Sequence, residues 1–240
     1  MALPKIMAPE FTTVVPSTKQ EVTFRPFLVK EEKILFMAAQ SESSRDIAAA
    51  IKKMLENCIS TDIDIESLAG FDIEYLFLQL RSKSVGEVIE LQMAHVTPEY
   101  KEACNHVHAI EVDISAVQIV EDENHSCNLQ MTDSIGVVMR YPGISDMLAA
   151  EDILTADNKM DMFKFAARGI VQVFDSEEVY DEFTDEELMD FVESLSNDQF
   201  QKIVDFYDTM PKLRHSIEWT CPECGKTEIS VVEGLQGFFI

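Results

Sequence analysis

Positive charge is scarce in this sequence: 19 Lys and Arg stand against 44 Asp and Glu, for a net charge of −25 and a pI near 4.4. Phosphate backbones and anionic membrane surfaces are bound through Lys and Arg. The shortage therefore excludes nucleic acid and anionic membranes as expected partners and favours a protein partner with a basic face. Long apolar runs are missing too. Nothing approaches the 18 or so residues of a membrane span, and "MALPKIMAPEF" lacks the charged-then-apolar layout of a secretory signal. The protein is expected to act inside a cell. Cysteines number five, an odd count at scattered spacings, which suits a reducing compartment better than a disulfide framework. The eight glycines are dispersed, so no phosphate-cradling loop stands out. G-x-S-x-G, Walker A, G-x-G-x-x-G and H-E-x-x-H are all absent. No spacing selects a nucleophile and its base. Neither an enzyme nor a small-molecule substrate is expected.

What is present is a chain of 240 residues with ordinary apolar content, 46%, enough for a sizeable core. "FTTVVPSTKQEVTFRPF" reads as a β-hairpin turning at Pro16–Lys19. Helical periodicity begins at Lys30. "SRDIAAAIKKMLENCI" places Ile47, Ile51, Leu55 and Cys58 on one stripe, with Cys58 as a small core residue. "FDIEYLFLQLR" starts at Asp72 as a cap and is apolar nearly all round, the mark of a buried helix. "GEVIELQM" and "AIEVDISAVQIV" read as strands, and "SCNLQMTDSIGVVMRYP" adds one or two more. From Ser145 the pattern is helical again, with "MDMFKFAARGIVQVF" read as one helix. "TDEELMDFVESL" and "SNDQFQKIVDFYDTM" open with Thr184/Glu187 and Ser196/Gln199 in capping-box spacing. The chain closes on strands through "HSIEWT", "TEISVV" and "EGLQGFFI". Segregated runs of strands and helices mean α+β: an N-terminal hairpin and helical layer, a small antiparallel zinc-ribbon-like element, and an acidic helical insertion. The expected division is a core of residues 1–144 and 212–240 around an insertion at 145–211.

Cys221 and Cys224 are two ligands' worth of a zinc knuckle, since two intervening residues let both thiolates face one ion. The strand-like sequence after them argues against a redox pair, which sits at a helix N-terminus. In "ACNHVHAIEVDI", Cys104, His106 and His108 alternate and face one side of a strand. The expected structural zinc set is Cys221, Cys224, Cys104 and His108, with His106 as the alternative. His125 with Cys127 is a rival supplier, as is a metal shared between two chains. Trp219 is expected to pack beside the knuckle. In "DSEEVYDEFTDEELMDFVES", within a stretch that carries no Lys or Arg from 169 to 201, Glu177, Glu178, Asp181 and Glu182 are candidate partner-binding residues. The block lacks the EF-hand pattern. Its aromatics Phe174, Tyr180, Phe183 and Phe191 are read as core.

"TFRPFLVKEEKILFMA", "FDIEYLFLQLRSKSVGEVIEL", "IGVVMRYPG" and a final strand ending in Phe238-Phe239 together resemble the baseplate hub proteins of T-even-type contractile phages. The resemblance covers almost the whole chain in order and is weakest in the acidic block. It implies a non-enzymatic phage tail morphogenesis protein, either a hub subunit or a chaperone-like hub assembly factor. Its partners would be other tail and baseplate hub proteins. It would act in the host cytoplasm during assembly or in the virion tail baseplate. No catalytic residues come with it. Relatives tend to carry a second C-x-x-C where this chain has Cys104 to His108, so the zinc ligand set here departs from theirs. The alternative reading is a zinc-ribbon regulatory or binding module.

Overall fold

The computed structural model describes residues 7–41, 43–94, 107–155 and 159–238, with the backbone alone at 151–155, 159–162 and 236. Among the described residues there are seven α-helices and several small antiparallel sheets, an α+β protein. The chain divides into two compact units. The first comprises Met1–Ile65, Phe71–Val120 and Lys212–Ile240, and the second Glu66–Gly70 and Glu121–Pro211. The unit that contains the acidic helices thus also takes in 121–144 and a short piece at 66–70.

The first unit opens with the expected hairpin, β1 (Phe11–Val14) paired antiparallel to β2 (Glu21–Phe24). Helices α1 (Val29–Gln40) and α2 (Ser44–Cys58) follow. On α2 the apolar stripe packs inward at Ile51, Leu55 and Cys58, while Ile47, one turn from the helix start, stays exposed. Helix α3 (Gly70–Ser84) buries Phe71, Ile73, Leu76, Phe77, Leu78 and Leu80, as its all-round apolar sequence requires. Asp72 is not its first residue or N-cap position. The helix begins two residues earlier, and the Asp72 carboxylate, fully buried, accepts the Ser17 N–H at 2.9 Å and the Ser17 hydroxyl. A helix N-terminus favours negative charge, and here that charge also fastens the hairpin turn.

Strand β3 (Val88–Ala94) pairs with β4 (Val107–Asp113). A 3₁₀ turn at Ile114–Ala116 separates β4 from β5 (Gln118–Val120), so "AIEVDISAVQIV" is two strands. The last strands of the chain, which we label β10 (Lys212–Thr220) and β11 (Thr227–Glu233), form a hairpin, and β10 also pairs with β5. The two sheets share one core of Leu78, Ile89, Val112, Ile114, Leu213 and Trp219. They remain separate sheets among the described residues, and no single ribbon sheet joins them. The closing "EGLQGFFI" is a 3₁₀ turn at Leu235–Phe238 instead of a strand. Gly234 at φ +66° turns the chain out of β11, and the Leu235 N–H donates to the Glu74 carboxylate at 3.2 Å. Phe239 lies outside the described residues.

The second unit is built on a four-stranded antiparallel sheet in chain order: β6 (Asn128–Gln130), β7 (Gly136–Met139), β8 (Ile170–Phe174) and β9 (Val179–Tyr180). Helices α4 (Ile144–Thr155) and α5 (Lys159–Arg168) connect β7 to β8. Helices α6 (Asp185–Ser194) and α7 (Asn197–Thr209) follow β9. The stretch read as one helix through Phe174 therefore ends at Arg168. Gly169 breaks it, and Ile170, Val171 and Val173 are β-branched residues that suit a pleated strand. Gly169 is also needed for space, because a Cβ there would come within 2.2 Å of the Tyr207 hydroxyl. The core gathers Val137, Met139, Ile170, Leu188, Ile203 and Phe206. Both anticipated capping boxes are formed, at Thr184/Glu187 and Ser196/Gln199.

Candidate functional site

The knuckle is the six-residue connection between β10 and β11, whose pairing runs up to Thr220 opposite Thr227. The Cys221 N–H donates to the Lys226 carbonyl and the Gly225 N–H to the Cys221 carbonyl, both at 2.8 Å. Gly225 sits at φ +71°, a left-handed conformation that only glycine adopts without strain. The result is a tight turn that buries Cys221 and leaves Cys224 exposed. Below it, Trp219 is buried and its Nε1–H donates to the Ser230 hydroxyl at 2.9 Å.

His108, on β4, faces this turn. Its Nε2 lies 3.4 Å from the Cys221 Sγ, and its ring stands 6.0 Å from the Trp219 indole. A residue 113 positions away is thus brought against the first knuckle cysteine. Thiolate and neutral imidazole are the donors a zinc ion prefers, so the pair suits such an ion chemically. Among the described residues no group of three or more His, Cys, Asp or Glu is gathered closely enough to hold a metal. Cys104 and His106 lie outside the described residues.

The rival pair is otherwise occupied. His125 Nδ1 hydrogen-bonds the Thr209 hydroxyl at 3.0 Å and Nε2 the Tyr141 hydroxyl at 3.1 Å. The ring stacks on Tyr141 and tilts over Phe206 at 5.0 Å. Burial lowers its pKa below the ordinary histidine range. Metal binding would break one of these bonds. Cys127 packs against the core of the second unit. Cys58 is a buried core thiol, and burial pushes its pKa up to about 11, which keeps it protonated and inert.

Glu177, Glu178, Asp181 and Glu182 are all exposed, on and around the short β8–β9 hairpin. The turn is organised by Asp175. One of its oxygens accepts the N–H groups of Glu177 and Glu178 at 2.8 and 2.9 Å, and the other accepts the Tyr180 hydroxyl at 3.2 Å. Those backbone donors hold the Asp175 carboxyl below its usual range. Beside the hairpin, β8, β9 and α6 enclose an open groove of about 370 Å³. Phe174, Tyr180, Phe183 and Phe191 line it, each at least partly exposed; Phe183 and Phe191 also pack against the second unit's core, whereas Tyr180 is exposed. The sequence signal for the groove was Gly169 followed by β-branched residues, which turns the block from a helix into a sheet edge.

The family motifs acquire roles from the same geometry. In "TFRPF…KEEK", Arg25 Nη2 donates to the buried Glu31 at 3.0 Å. In "IGVVMRYPG", Arg140 makes two bonds, 2.6 and 3.1 Å, to Asp146 in the first turn of α4. Tyr141 stacks on Phe206 at 5.7 Å, and the Pro142 carbonyl accepts the Gly70 N–H at 2.9 Å. A family model described as T4 bacteriophage base plate protein matches residues 8–240. The chain belongs to that family. Curated proteins and solved structures offer no significant match. As a baseplate-family protein, it has a structural or assembly role in the phage baseplate and binds other baseplate proteins. No helix among the described residues is long and apolar enough to cross a membrane.

Proposed function

We propose that this chain is a non-enzymatic tail morphogenesis protein that works by protein–protein binding, as a baseplate hub subunit or as a chaperone-like hub assembly factor. The observation that carries the reading is the match to the family over residues 8–240. The charge of −25 supports protein partners over nucleic acid and anionic membranes. It acts in the host cytoplasm during assembly and, if a subunit, stays in the virion tail. Quantitative mass spectrometry of purified virions against infected-cell lysate tests this. Stoichiometric presence in the particle makes it a subunit. Abundance in lysate with absence from virions makes it an assembly factor. Association with no baseplate protein in either sample overturns the reading. Retention on DNA instead would favour the zinc-ribbon regulatory module.

The approach of His108 to Cys221 supports a second proposal, a structural zinc clasp. Cys221, Cys224 and His108 would be joined by Cys104, or with His106 in place of His108. Zinc would supply a fixed tetrahedral cross-link between the β4 segment and the β10–β11 turn, and binding free energy of this kind stabilises the folded state. Elemental analysis of protein purified without added metal should then find one zinc per chain. Cys224→Ser should abolish it and lower the melting temperature. An unchanged melting temperature after chelation would dismiss the clasp.

A further inference from the structure

We infer that the groove between β8, β9 and α6 is a docking site for a segment of another baseplate protein that presents one large apolar side chain flanked by Lys or Arg. The inference rests on the proposed function, since it supplies the partner class. Three observations lead to it. The groove's lining is mostly apolar, including Phe174, Leu188, Phe183 and Phe191, and its volume of about 370 Å³ accommodates an aromatic or leucine side chain. Apolar space of this kind, open to solvent beside half-buried aromatics, is the anchor pocket of peptide recognition. Its polar lining is acidic: among the described residues, Asp175, Glu182 and Glu187 are its only charged lining residues. Beyond them the sign does not change, because residues 175–194 hold ten Asp and Glu and no Lys or Arg.

The charge selects the occupant. Nucleic acid and anionic lipid would meet carboxylates at every approach. A second copy would bring the same acids and its own charge of −25 against them, and like charges placed opposite each other are repelled. A basic segment gains on both counts. Its apolar residue fills the groove and its cations face the carboxylates. Tyr180 forms the lip, 44% exposed, with its hydroxyl held by Asp175. It can close over an inserted side chain, or stack under a guanidinium.

The test uses the full chain and three fluorescein-labelled peptides, GKRWGKRG, GKRSGKRG and GEEWGEEG, read by fluorescence anisotropy. The first should bind and the other two should bind at least about tenfold more weakly, because both the anchor and the charges are needed. Raising salt from low to roughly 0.5 M should weaken the first peptide several-fold through screening of the carboxylates. Glu182→Lys and Tyr180→Ser, both at exposed positions, should each weaken it about tenfold, while Glu193→Lys, the same charge change on α6 outside the groove, should not. Circular dichroism confirms that the variants fold. Equal binding of the basic polar peptide or the acidic apolar peptide overturns the proposal, as does indifference to Glu182→Lys. A dimer in sedimentation that Glu182→Lys dissolves would give the groove to a second copy and also overturn it. In infected cells the two readings separate. If Glu182→Lys chain co-purifies with baseplate proteins as well as wild type does, the docking site is wrong and the baseplate role stands. If wild type co-purifies with none, the baseplate role itself fails.

Discussion

Helices α6 and α7 begin on hydrogen bonds that span three residues, whereas α3 is tied at its start by one that spans 55. The contrast separates the two compact units. In the second unit the helix starts are self-contained: Thr184 and Glu187 satisfy each other's backbone groups, as do Ser196 and Gln199. In the first unit α2 is capped locally by Ser43 and Glu31 takes the Leu28 N–H at the start of α1, but two carboxylates of α3 reach elsewhere. Asp72 holds the hairpin turn at Ser17 and Glu74 takes the N–H of Leu235 161 residues away, while buried Glu31 is clamped by Arg25, six residues off. The second unit makes long-range polar ties through neutral groups and a lysine: His125 to the Thr209 hydroxyl, Gln199 to the Met131 carbonyl and Lys202 to the Gln130 carbonyl. The first places carboxylates among the long-range ties themselves.

The largest expected effect tests whether the two units are separate. Phe206 is 2% exposed, stacks on Tyr141, lies under the tilted His125 ring and meets Tyr207 edge-on. Phe206→Ala should destabilise the second unit by about 3–5 kcal/mol, the range for truncating a buried aromatic. Denaturant unfolding monitored by hydrogen exchange should show the loss in β6–β8, α5 and α7 with the first unit's amides less affected. Uniform loss across the chain would merge the two units into one cooperative block.

Glu31→Gln tests a carboxylate of the first unit. The Glu31 side chain is 1% exposed. Burial alone would raise its pKa, but hydrogen bonds from Arg25 and the Leu28 N–H prevail and hold it at about 2. Neutralising it leaves Arg25 without its charged partner, an expected loss of about 1.5–3 kcal/mol at neutral pH. The sign with pH follows from a folded pKa below the unfolded one. The stabilisation is full above the ordinary glutamate value near 4.5 and disappears as pH falls through about 2. The stability gap between wild type and variant, measured by urea unfolding across pH, should close over that window. A gap that widens on acidification would show that Glu31 is not held as an anion.

This division also explains what could be read from the chain. The hairpin, the buried character of α3 and both capping boxes were legible, because each is encoded within a few residues. The strand at Ile170–Phe174 was not, since the helical period of "MDMFKFAAR" was carried past Gly169, where the chain changes structure. The 3₁₀ turn at Leu235–Phe238 is not legible locally, because the Leu235 N–H partner is Glu74, far off in sequence. At the sites, alternation along β4 placed His108 on the right face, yet only the fold brings it to Cys221. The groove depends on the strand at Ile170–Phe174: a helix through Phe174 leaves Phe183 and Phe191 no cleft to line.

The smallest predicted effects decide whether local and distant anchoring differ in kind. Thr184→Ala and Ser196→Ala should each lower stability by about 1 kcal/mol, the usual loss for an N-cap. A local cap needs only a short acceptor at the right backbone position, so Thr184→Asn should restore nearly all of it. Asp72 has no such tolerance. Its oxygens serve both the N–H and the hydroxyl of Ser17 from a buried position, and an amide keeps one acceptor for the N–H but loses the charge that strengthens both bonds at the helix start. Asp72→Asn should therefore lower stability by about 1–3 kcal/mol, although it is as conservative as Thr184→Asn. Thermal and urea unfolding of the four variants gives the comparison. If Asp72→Asn proves as harmless as Thr184→Asn, the hairpin does not depend on α3, and the distinction between the two units reduces to sequence distance alone.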